Sequence, residues 1–235
     1  MSSKITYDFH THILPSIDDG AKNIENSIDL LNELNNLGVI NVALTSHFYT
    51  NEISLEDFIV KRNEAFDAIK NQIPEGMNIK LGAEVFITDY LFNQEITNDI
   101  CLEGTNYVLC EFSYDSNFKG RFERYIDNFF NRSMIPIIAH VERYPKLMKD
   151  KELRDELLYK GVIFQSNYSS FLNSKYKRKL IKLLRDDEIS IFGSDVHSNH
   201  RNPVSDLVKA QEYIEKKLGV EIFDKIQKES INIFS

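Results

Sequence analysis

The sequence predicts an α/β fold in which seven β/α units follow one another along the chain, and three observations support this prediction. Short apolar, β-branched runs alternate with longer segments of helical periodicity, a pattern typical of parallel sheets. The length of 235 residues is close to the ~250 residues of one α/β barrel. The chain contains no linker, low-complexity tract or close repeat. We therefore expect residues 1–235 to form one domain.

The seven predicted strands are short apolar runs, each followed by a segment with a helical repeat. They span 5–10, 39–46, 79–85, 107–112, 135–140, 162–165 and 190–193. The predicted helices span 24–37, 55–73, 89–96, 121–132, 151–159, 176–185 and 205–217, the last of these being the final helix of the chain. Gly38 is expected to end the first helix, Ser54 to cap the second, and Pro74 to break the chain after it.

The composition excludes several classes of protein. With 42% hydrophobic and 27% charged residues, the chain is typical of a globular protein. The net charge of −8 argues against broad nucleic-acid binding, because such surfaces are basic. No run approaches the ~20 apolar residues of a membrane span, and the start lacks a signal-peptide pattern. We expect a cytoplasmic protein without a membrane span, in which Cys101 and Cys110 are reduced and buried.

Residues able to bind metal ions recur where the predicted strands end. Barrel enzymes place their chemistry at the C-terminal ends of the strands, because the loops there converge on one pocket. Five of the six histidines lie at such positions, together with two glutamates and one aspartate. The set is His10, His12, His47, Glu84, Glu111, His140, Asp195 and His197. This shared placement predicts one site.

Two motifs within this set place both of their members on one face of a strand. Side chains of a strand alternate with period two, so the imidazoles of His10-Thr-His12 share a face and suit one metal ion. Taken alone, the pair is equally compatible with two structural histidines. Asp195-Val-His197 repeats the spacing on another strand, which favours a metal site. A lone histidine at a strand end, such as His47 or His140, is more often a core or loop residue than a metal ligand.

Carboxylates extend from apolar runs at two further strand ends. Glu84 and Glu111 each follow a segment that should be buried. A buried, unpaired carboxylate is costly, whereas one bound to a divalent cation is not. The alternative is a salt bridge to a nearby lysine or arginine. Asp18-Asp19-Gly20, in the loop after the first strand, faces the same pocket, although an ordinary turn also accounts for it.

Mixed imidazole and carboxylate ligands suit Mn, Fe, Co or Zn and argue against a structural thiolate zinc site. With Asp19 included, nine candidate ligands exceed what one ion needs, so a cluster of two or three metals is implied. Arg143 can hold a phosphate with its planar guanidinium group, or it can pair with Glu142 or another carboxylate. Arg201 is a second phosphate candidate, with simple surface exposure as the alternative, and His200 is expected to be a loop residue.

Together these motifs resemble the PHP (polymerase and histidinol phosphatase) family over nearly the whole chain. Within it, two segments are similar to bacterial protein-tyrosine phosphatases of the CpsB/YwqE type. They are Tyr7-Asp-Phe-His-Thr-His-Ile-Leu-Pro-Ser-Ile-Asp-Asp-Gly20 and Ile135-Pro-Ile-Ile-Ala-His-Val-Glu-Arg-Tyr144. The resemblance implies a PHP-type, metal-dependent phosphatase domain folded as a distorted TIM-like (β/α)7 barrel with a three-metal site.

The resemblance also implies a role for each candidate residue. The first ion would be bound by His10, His12, Glu84 and Asp195, the second by Glu84, Glu111 and His140, and the third by Asp19, His47 and His197. Arg143 and Arg201 would hold the phosphate. The cofactors implied are three divalent cations, with Mn preferred over Fe, Co or Zn.

The implied reaction is hydrolysis of phosphotyrosine, with a metal-bridging hydroxide attacking phosphorus in line. A tyrosine leaving group has a pKa near ~10, so strong general-acid help is less necessary. The rival thiolate mechanism needs an arginine six residues after the cysteine, but Tyr107 and Ser116 occupy those positions. The alternatives are a small-molecule phosphatase such as histidinol phosphatase and a non-catalytic metal-binding barrel. The acidic charge disfavours a nuclease.

The closer resemblance implies a partner, namely an autophosphorylating bacterial tyrosine kinase that controls capsule or exopolysaccharide export. Its flexible, tyrosine-rich tail would be the substrate. The sequence does not reveal the general acid or the oligomeric state. The loops 48–52 and 114–121 likewise give no indication of what the site contacts beyond the phosphate.

Overall fold

The computed structural model describes residues 5–93, 95–115 and 118–235, and these contain nine strands in two parallel sheets. The strand order is β1-β2-β4 in one sheet and β3-β5-β6-β7-β8-β9 in the other. The strands are β1 (Tyr7–Thr11), β2 (Asn41–Leu44), β3 (His47–Tyr49), β4 (Asn78–Leu81), β5 (Glu84–Phe86), β6 (Tyr107–Glu111), β7 (Ile135–Ile138), β8 (Ile163–Asn167) and β9 (Ile191–Gly193). The predicted α/β fold with parallel strands is confirmed.

Two of the predicted strands are divided between the sheets. The predicted strand 39–46 forms β2 and continues past Thr45 and Ser46 into β3, and the predicted strand 79–85 forms β4 and β5. The backbone N–H of Glu84 donates to the carbonyls of Thr45 and Ser46 at 3.1 and 3.0 Å, so the two segments stay paired across the change. As a result, His47 and Glu84 become the first residues of β3 and β5 and lie opposite each other in register.

The first strand also meets the chain that leaves the last one. The N–H of Asp195 donates to the carbonyl of His10 at 2.7 Å, and the N–H of His12 donates to the carbonyl of Val196 at 2.9 Å. Thr11 and Val196 form a parallel bridge between these bonds. The strand positions therefore follow one another in chain order around a barrel-like arrangement, which brings the C-terminal ends of β1 and β9 side by side.

Six helices lie between strands, as expected for β/α units, and two more follow the last strand. They are α1 (Ile24–Asn36), α2 (Leu55–Ile69), α3 (Arg121–Phe130), α4 (Pro145–Lys149), α5 (Lys151–Tyr159), α6 (Lys177–Arg185), α7 (Asp206–Leu218) and α8 (Glu221–Phe234). The predicted cap of α2 is confirmed, because the Ser54 side chain accepts from the N–H of Asp57. A 3₁₀ turn at Lys70–Gln72 replaces the last part of the predicted helix 55–73.

The predicted helix 89–96 is wrong. The described part of this segment, which lacks residue 94, contains only a 3₁₀ turn at Leu91–Asn93. Short polar side chains satisfy the backbone locally, since the Thr88 hydroxyl accepts from the N–H of Tyr90 at 3.3 Å. Such bonds compete with helix formation. Leu91 is fully buried, and its side chain packs this segment against the rest of the protein.

The prediction that 205–217 is the final helix is also wrong, because α8 follows α7 after Gly219. Phe223, Ile226 and Ile233 recur on one face of α8 and are buried there. This spacing is itself a helical signal in the sequence. The short helix α4 was not predicted either; it begins with Pro145 at its first position, where a missing N–H costs nothing.

The last turn of α8 closes one end of the barrel-like arrangement. An inner cluster of buried apolar residues from five strands or their flanks packs against Ile233 and Phe234. The ring of Phe234 meets Phe9 edge to face, with 5.7 Å between the centroids. Tyr7 and Tyr107, the first residues of β1 and β6, also pack here. The end that α8 covers is therefore the N-terminal end of the strands, opposite the candidate ligands.

No helix in the described ranges is long and apolar enough to cross a membrane. Cys101 and Cys110 are buried free thiols, which confirms the sequence-based expectation. Burial raises the pKa of Cys101 to about 12 and that of Cys110 well above its ordinary value. Both sulfurs are thus protonated, unreactive groups at neutral pH.

Candidate metal centre

The side chains singled out as ligands meet at the C-terminal end of the strands. His10 lies on β1, His47 and Glu84 begin β3 and β5, and Glu111 ends β6. Most of the set is buried, whereas Asp19 is 55% exposed. The residues brought together are His10, His12, Asp19, His47, Glu84, Glu111, His140, Asp195 and His197.

His10, His12, Glu84 and Asp195 form the tightest group. The Nε2 atoms of His10 and His12 are 3.1 Å apart. Oε2 of Glu84 lies 3.1 and 3.3 Å from these nitrogens, and Oδ1 of Asp195 lies 3.6 and 3.4 Å from them. Metal bonds of ~2.0–2.2 Å in a tetrahedral arrangement separate neighbouring ligand atoms by about 3.4 Å. The four atoms therefore have the spacing of ligands around one ion.

Glu84 presents its second oxygen to another group. Nε2 of His140 lies 3.0 Å from Oε1 of Glu84 and 3.5 Å from Oε1 of Glu111. With Oε2 facing the first group and Oε1 facing His140, the Glu84 carboxylate has the orientation of a bridge between two ions.

A third group lies towards solvent. Oδ1 of Asp19 is 3.2 Å from Nε2 of His197 and 3.6 Å from Nε2 of His47. His47 also faces the other groups, because its Nδ1 lies 2.9 Å from Oε2 of Glu84. A ring nitrogen of His12 also lies within ligand distance of this third group. The geometry thus brings the nine residues into one continuous cluster rather than three separate pockets.

Unpaired polar atoms in this cluster fit a metal site. Buried atoms that form no hydrogen bond of acceptable geometry include Nδ1 of His47, Oε2 of Glu84 and Nε2 of His197, although the first two lie 2.9 Å apart. Leaving buried acceptors unpaired costs ~1–3 kcal/mol each, more for charged groups. Divalent cations would satisfy these lone pairs and would separate the facing nitrogens of His10 and His12. The residues present therefore match a polynuclear site with nitrogen and oxygen ligands.

The electrostatics of the cluster reflect its excess of negative charge. Burial disfavours a charge on His10, but the carboxylates of Glu84 and Asp195 outweigh it and raise its pKa. Burial also opposes ionisation of Glu84, yet the neighbouring histidines hold its pKa well below its usual range. Burial and the charge of Glu84 raise the pKa of Glu111. Burial lowers the pKa of His197 to about 4, so its neutral, metal-binding form dominates at pH 7.

Asp18, which its sequence pattern marks only as a turn residue, orients one of the ligands. Its Oδ2 lies 2.8 Å from Nδ1 of His12 and accepts from the backbone N–H of His47 at 3.0 Å. Its Oδ1 accepts from the N–H of Gly20 at 2.9 Å. Burial opposes the charge, but His12 and these donors hold the pKa of Asp18 well below its usual range. With Nδ1 bound to Asp18, His12 directs Nε2 into the cluster.

Two amides at the end of β8 form a second support, which was not predicted from the sequence. Oε1 of Gln165 lies 3.3 Å from Nδ1 of His10 and accepts from the backbone N–H of His140 at 2.7 Å. Its Nε2 donates to Asn167, whose Nδ2 donates to Asp195 at 2.8 Å. The sequence signal was a buried strand that ends in Gln-Ser-Asn, without any residue of the usual metal-ligating types.

Close backbone approach fixes the positions of His10 and His12. A Cβ atom on Gly20 would overlap the carbonyl oxygen of His12, and one on Gly193 would lie 2.5 Å from Cβ of His10. Two candidate ligands also have left-handed backbones, with φ of 34° at His140 and 55° at Asp195. Such strain persists only where the surroundings enforce it, and it is common at functional sites.

Arg143 lies at the mouth of the cluster, in the turn after β7. Its Nη2 donates to Oδ2 of Asp195, and its Nη1 donates to the hydroxyl of Tyr114 at 3.4 Å. The alternative partner, Glu142, instead accepts from the Ser166 hydroxyl at 3.0 Å. The predicted alternative of an ion pair therefore occurs, but with a candidate metal ligand, which places the guanidinium directly beside the cluster.

Arg201 contacts the cluster through Asp19. Its guanidinium donates to Oδ2 of Asp19, and the side chain is 51% exposed. Cavities of about 460 and 440 Å³ lie on either side of Asp19, the first lined by Arg201 and His200 and the second by Tyr49. His200 is an exposed loop residue, as expected. The third group of ligands is therefore the one that external molecules can reach.

The loops 48–52 and 114–121, whose role the sequence left open, contribute aromatic rings to the mouth. In the first, Phe48 is buried, while the ring of Tyr49 lies 5.0 Å from that of His47. In the second, Tyr114 lies beside Glu111 and Arg143. Residues 116 and 117 of this loop lie outside the described residues.

Comparisons with known proteins agree with this architecture. A protein of Streptococcus pneumoniae named tyrosine-protein phosphatase CpsB is 29% identical over 226 residues, covering 90% of each chain. A crystal structure from work on Bacillus subtilis YwqE and Streptococcus pneumoniae CpsB, described as unique metal-dependent tyrosine phosphatases, has a TM-score of 0.81 at 22% identity and covers 97% of this chain and 94% of that one. A TatD-family hydrolase of Entamoeba histolytica has a TM-score of 0.61 at 10% identity, with 99% of each chain covered. These structural likenesses support the fold.

The family model described as "Capsular polysaccharide synthesis, CpsB/CapC" matches residues 6–233, which is nearly the whole chain. This range contains every candidate ligand, both arginines and the orienting residues Asp18 and Gln165. The chain belongs to the CpsB/CapC family.

Proposed function

We propose that this chain is a metal-dependent protein-tyrosine phosphatase, which releases inorganic phosphate from phosphotyrosine side chains. The observation that carries the proposal is the convergence of nine His, Asp and Glu side chains, with unpaired buried atoms, beside two arginines. Membership of a family whose relatives are named tyrosine-protein phosphatases supports the choice of substrate.

The proposed cofactors are three divalent cations, with Mn preferred over Fe, Co or Zn, because the donor atoms are imidazole nitrogens and carboxylate oxygens. The grouping proposed for them follows the close sets centred on His10 and His12, on Glu84 with His140, and on Asp19 with His197. When bound, such ions lower the pKa of a coordinated water and neutralise charge on phosphoryl oxygens.

The residues of the chain supply orientation and binding. Asp18 and Gln165 hold the rings of His12 and His10 in one orientation. Arg143 offers a planar fork of N–H donors at the mouth, and we assign it to the phosphoryl oxygens. Arg201, which donates to Asp19 at the exposed edge of the cluster, is the second candidate for binding the phosphate. The tyrosine leaving group has a pKa near ~10, so a general acid contributes less than it would for an alkyl phosphate.

The open mouth supports a protein substrate. Asp19 is half exposed, and the cavities beside it are open enough to admit a side chain carried on an extended segment. We propose that this segment is the tyrosine-rich tail of a bacterial tyrosine kinase that controls capsule or exopolysaccharide synthesis, in line with the family description. We further propose that residues 1–235 act as one domain in the cytoplasm, where buried free thiols are stable.

A comparison of two substrates tests the proposal. The metal-loaded protein is assayed with a phosphotyrosine peptide and with histidinol phosphate at equal concentrations. We expect kcat/KM to be higher for the peptide, because the mouth is open and the leaving group is a phenol. A preference for histidinol phosphate would instead favour a small-molecule phosphatase.

A second experiment addresses the alternative of a non-catalytic metal-binding barrel. The double variant His10→Ala, His12→Ala should lose both metal, measured by elemental analysis, and phosphatase activity. His200→Ala is the matched control, since this histidine is exposed in a loop, and it should keep its full metal content. A double variant that retained full activity would refute the assignment of the site.

A further inference from the structure

Tyr114 connects two of the strand ends that form the site. It lies three residues beyond Glu111, the last residue of β6, and its hydroxyl donates to Oε1 of that glutamate at 3.0 Å. The same hydroxyl accepts from Nη1 of Arg143 at 3.4 Å. One phenol group therefore links a candidate metal ligand to the arginine assigned to the phosphate.

This link restricts the orientation of Arg143. One end of the guanidinium donates to Asp195 and the other to Tyr114, so the plane of the group is fixed by two partners from different strand ends. An arginine binds phosphate best when two parallel N–H bonds are correctly aligned. Without the hydroxyl, Asp195 alone would hold the side chain, and the guanidinium could rotate about that contact.

The ring of Tyr114 has a second property. It lies edge-on to His140 and Tyr144, with centroid distances of 6.0 and 5.9 Å and interplanar angles of 74° and 60°. Both of those side chains are buried, whereas Tyr114 is 46% exposed. Its neighbours thus support one side of the phenol and leave the other open at the mouth.

If Arg143 binds the phosphoryl group of a phosphotyrosine, the open side of the Tyr114 ring is available to the aromatic part of that substrate. In an aryl phosphate the ring is separated from phosphorus by a single bridging oxygen, so a phosphoryl group held by Arg143 brings the ring next to Tyr114. Aromatic pairs contribute enough to strengthen binding by about two- to twelvefold.

We infer that Tyr114 is a specificity-determining residue, whose hydroxyl positions Arg143 and whose exposed ring contacts the aromatic group of an aryl phosphate. This inference rests on the proposed function, and it deepens that function by predicting a preference for aryl over alkyl phosphates. Tyr114 acts on the phosphoryl group only through Arg143, whereas its contact with the aryl ring is direct.

Binding of two non-hydrolysable probes separates the two roles. Phenylphosphonate and methylphosphonate are titrated into the metal-loaded protein by calorimetry. Tyr114→Phe keeps the ring and removes the hydroxyl, so it should weaken both probes equally, by about two- to twelvefold. Tyr114→Leu removes the ring as well, and it should weaken phenylphosphonate by a further two- to twelvefold or so while leaving methylphosphonate at the Phe level.

The decisive readout is the affinity for phenylphosphonate divided by the affinity for methylphosphonate, because a general loosening of the site would weaken both probes alike. An unchanged ratio in Tyr114→Leu would overturn the ring contact, and full affinity for both probes in Tyr114→Phe would overturn the positioning of Arg143. Tyr49→Leu tests the other aromatic residue of the mouth, and a fall in the ratio there instead would transfer the role to Tyr49. Tyr159→Leu, at a site 94% exposed on α5, should change neither affinity.

Failure of the proposed function can be recognised separately. Turnover of p-nitrophenyl phosphate by the wild-type protein tests the phosphatase activity itself. Turnover with an unchanged affinity ratio in Tyr114→Leu would refute only the role of Tyr114. The absence of turnover, together with the expected fall in the ratio, would refute the phosphatase and leave an aryl-phosphate binding site.

Discussion

Nδ1 of His12 lies 2.8 Å from Oδ2 of Asp18, and this pair links the loop after β1 to the centre of the cluster of candidate metal ligands. The same carboxylate accepts from the backbone of His47, so one aspartate holds two candidate ligands from different strands. Because the aspartate occupies Nδ1, the other ring nitrogen of His12 is left to face Glu84 and Asp195.

Removal of this carboxylate should weaken metal binding although no ligand is lost. Residues that orient ligands typically contribute ten- to a hundredfold or so in metal affinity. We expect Asp18→Ala to lose affinity in that range, and Asp18→Asn to lose less because its amide oxygen still accepts a hydrogen bond. Competition with a chelating dye measures the change. Asp67→Asn, on the exposed face of α2, is the matched control, and wild-type affinity in Asp18→Ala would contradict the orienting role.

Chelation should abolish the phosphatase activity, and added Mn²⁺ should restore it. Cys110→Ser should retain activity per folded molecule, because the Cys110 thiol is buried and its pKa lies well above its ordinary value, so it is not a nucleophile. Initial rates with a phosphotyrosine peptide, before and after dialysis against EDTA, provide the measurement. The reverse pattern, with activity resistant to EDTA and lost in Cys110→Ser, would indicate thiolate chemistry.

The position of His10 depends on the absence of a side chain at residue 193. In Gly193→Ala the new Cβ would lie 2.5 Å from Cβ of His10 and 2.9 Å from Nε2 of Gln165. Relief of such overlap costs ~1–3 kcal/mol and should displace the histidine, so that metal content falls along with stability.

The matched control for Gly193→Ala is Gly38→Ala. Gly38 has a φ of 85°, but a Cβ atom there would meet nothing within 4 Å, and the residue lies at the end of α1, away from the cluster. This variant should lose stability and keep its metal. Full metal content in Gly193→Ala, measured by elemental analysis of the folded protein, would show that His10 can move aside without consequence.

The sequence located the candidate ligands, which the structure brings together, better than it located the residues that support them. His10, His12, Asp195 and His197 are recognisable because strand alternation and strand ends can be read from local spacing. The supports depend on contacts between distant segments, since Gln165 lies 155 positions from His10. Which residues meet in such pairs depends on the register between strands, and that register cannot be read from a single sequence.

Long-range geometry also explains the other differences. The roles of Asp18 and Asp19 depend on which way each carboxylate points within one turn. Asp18 points to Nδ1 of His12, whereas Asp19 lies nearer to solvent, with one oxygen facing His197 and the other facing Arg201. The division of two predicted strands between two sheets follows from how distant strands pair with one another. The β-propensity of a single segment gives no information about that pairing. By contrast, α8 had a readable local pattern, so its omission was an error of interpretation.

A buried ion pair outside the metal cluster should control stability without affecting metal binding. The guanidinium of Arg154 on α5 pairs with Glu188, a loop residue before β9, and its Nη1 donates to the carbonyl of Leu147 on α4 at 2.6 Å. The exposed fractions of the two charged side chains are 0% and 4%. Loss of one partner leaves an uncompensated buried charge, which typically costs ~3–5 kcal/mol. Glu188→Gln should therefore lower the free energy of unfolding, measured with urea, by an amount approaching that range.

The double variant Arg154→Met, Glu188→Leu removes both charges and should be much less affected than Glu188→Gln, because apolar side chains can fill the same space. Both proteins should bind metal normally while folded, since neither residue contacts the cluster. If the double variant were less stable than Glu188→Gln, the ion pair would make a net contribution to stability. The expected result instead attributes the loss in Glu188→Gln to the unpaired charge of Arg154.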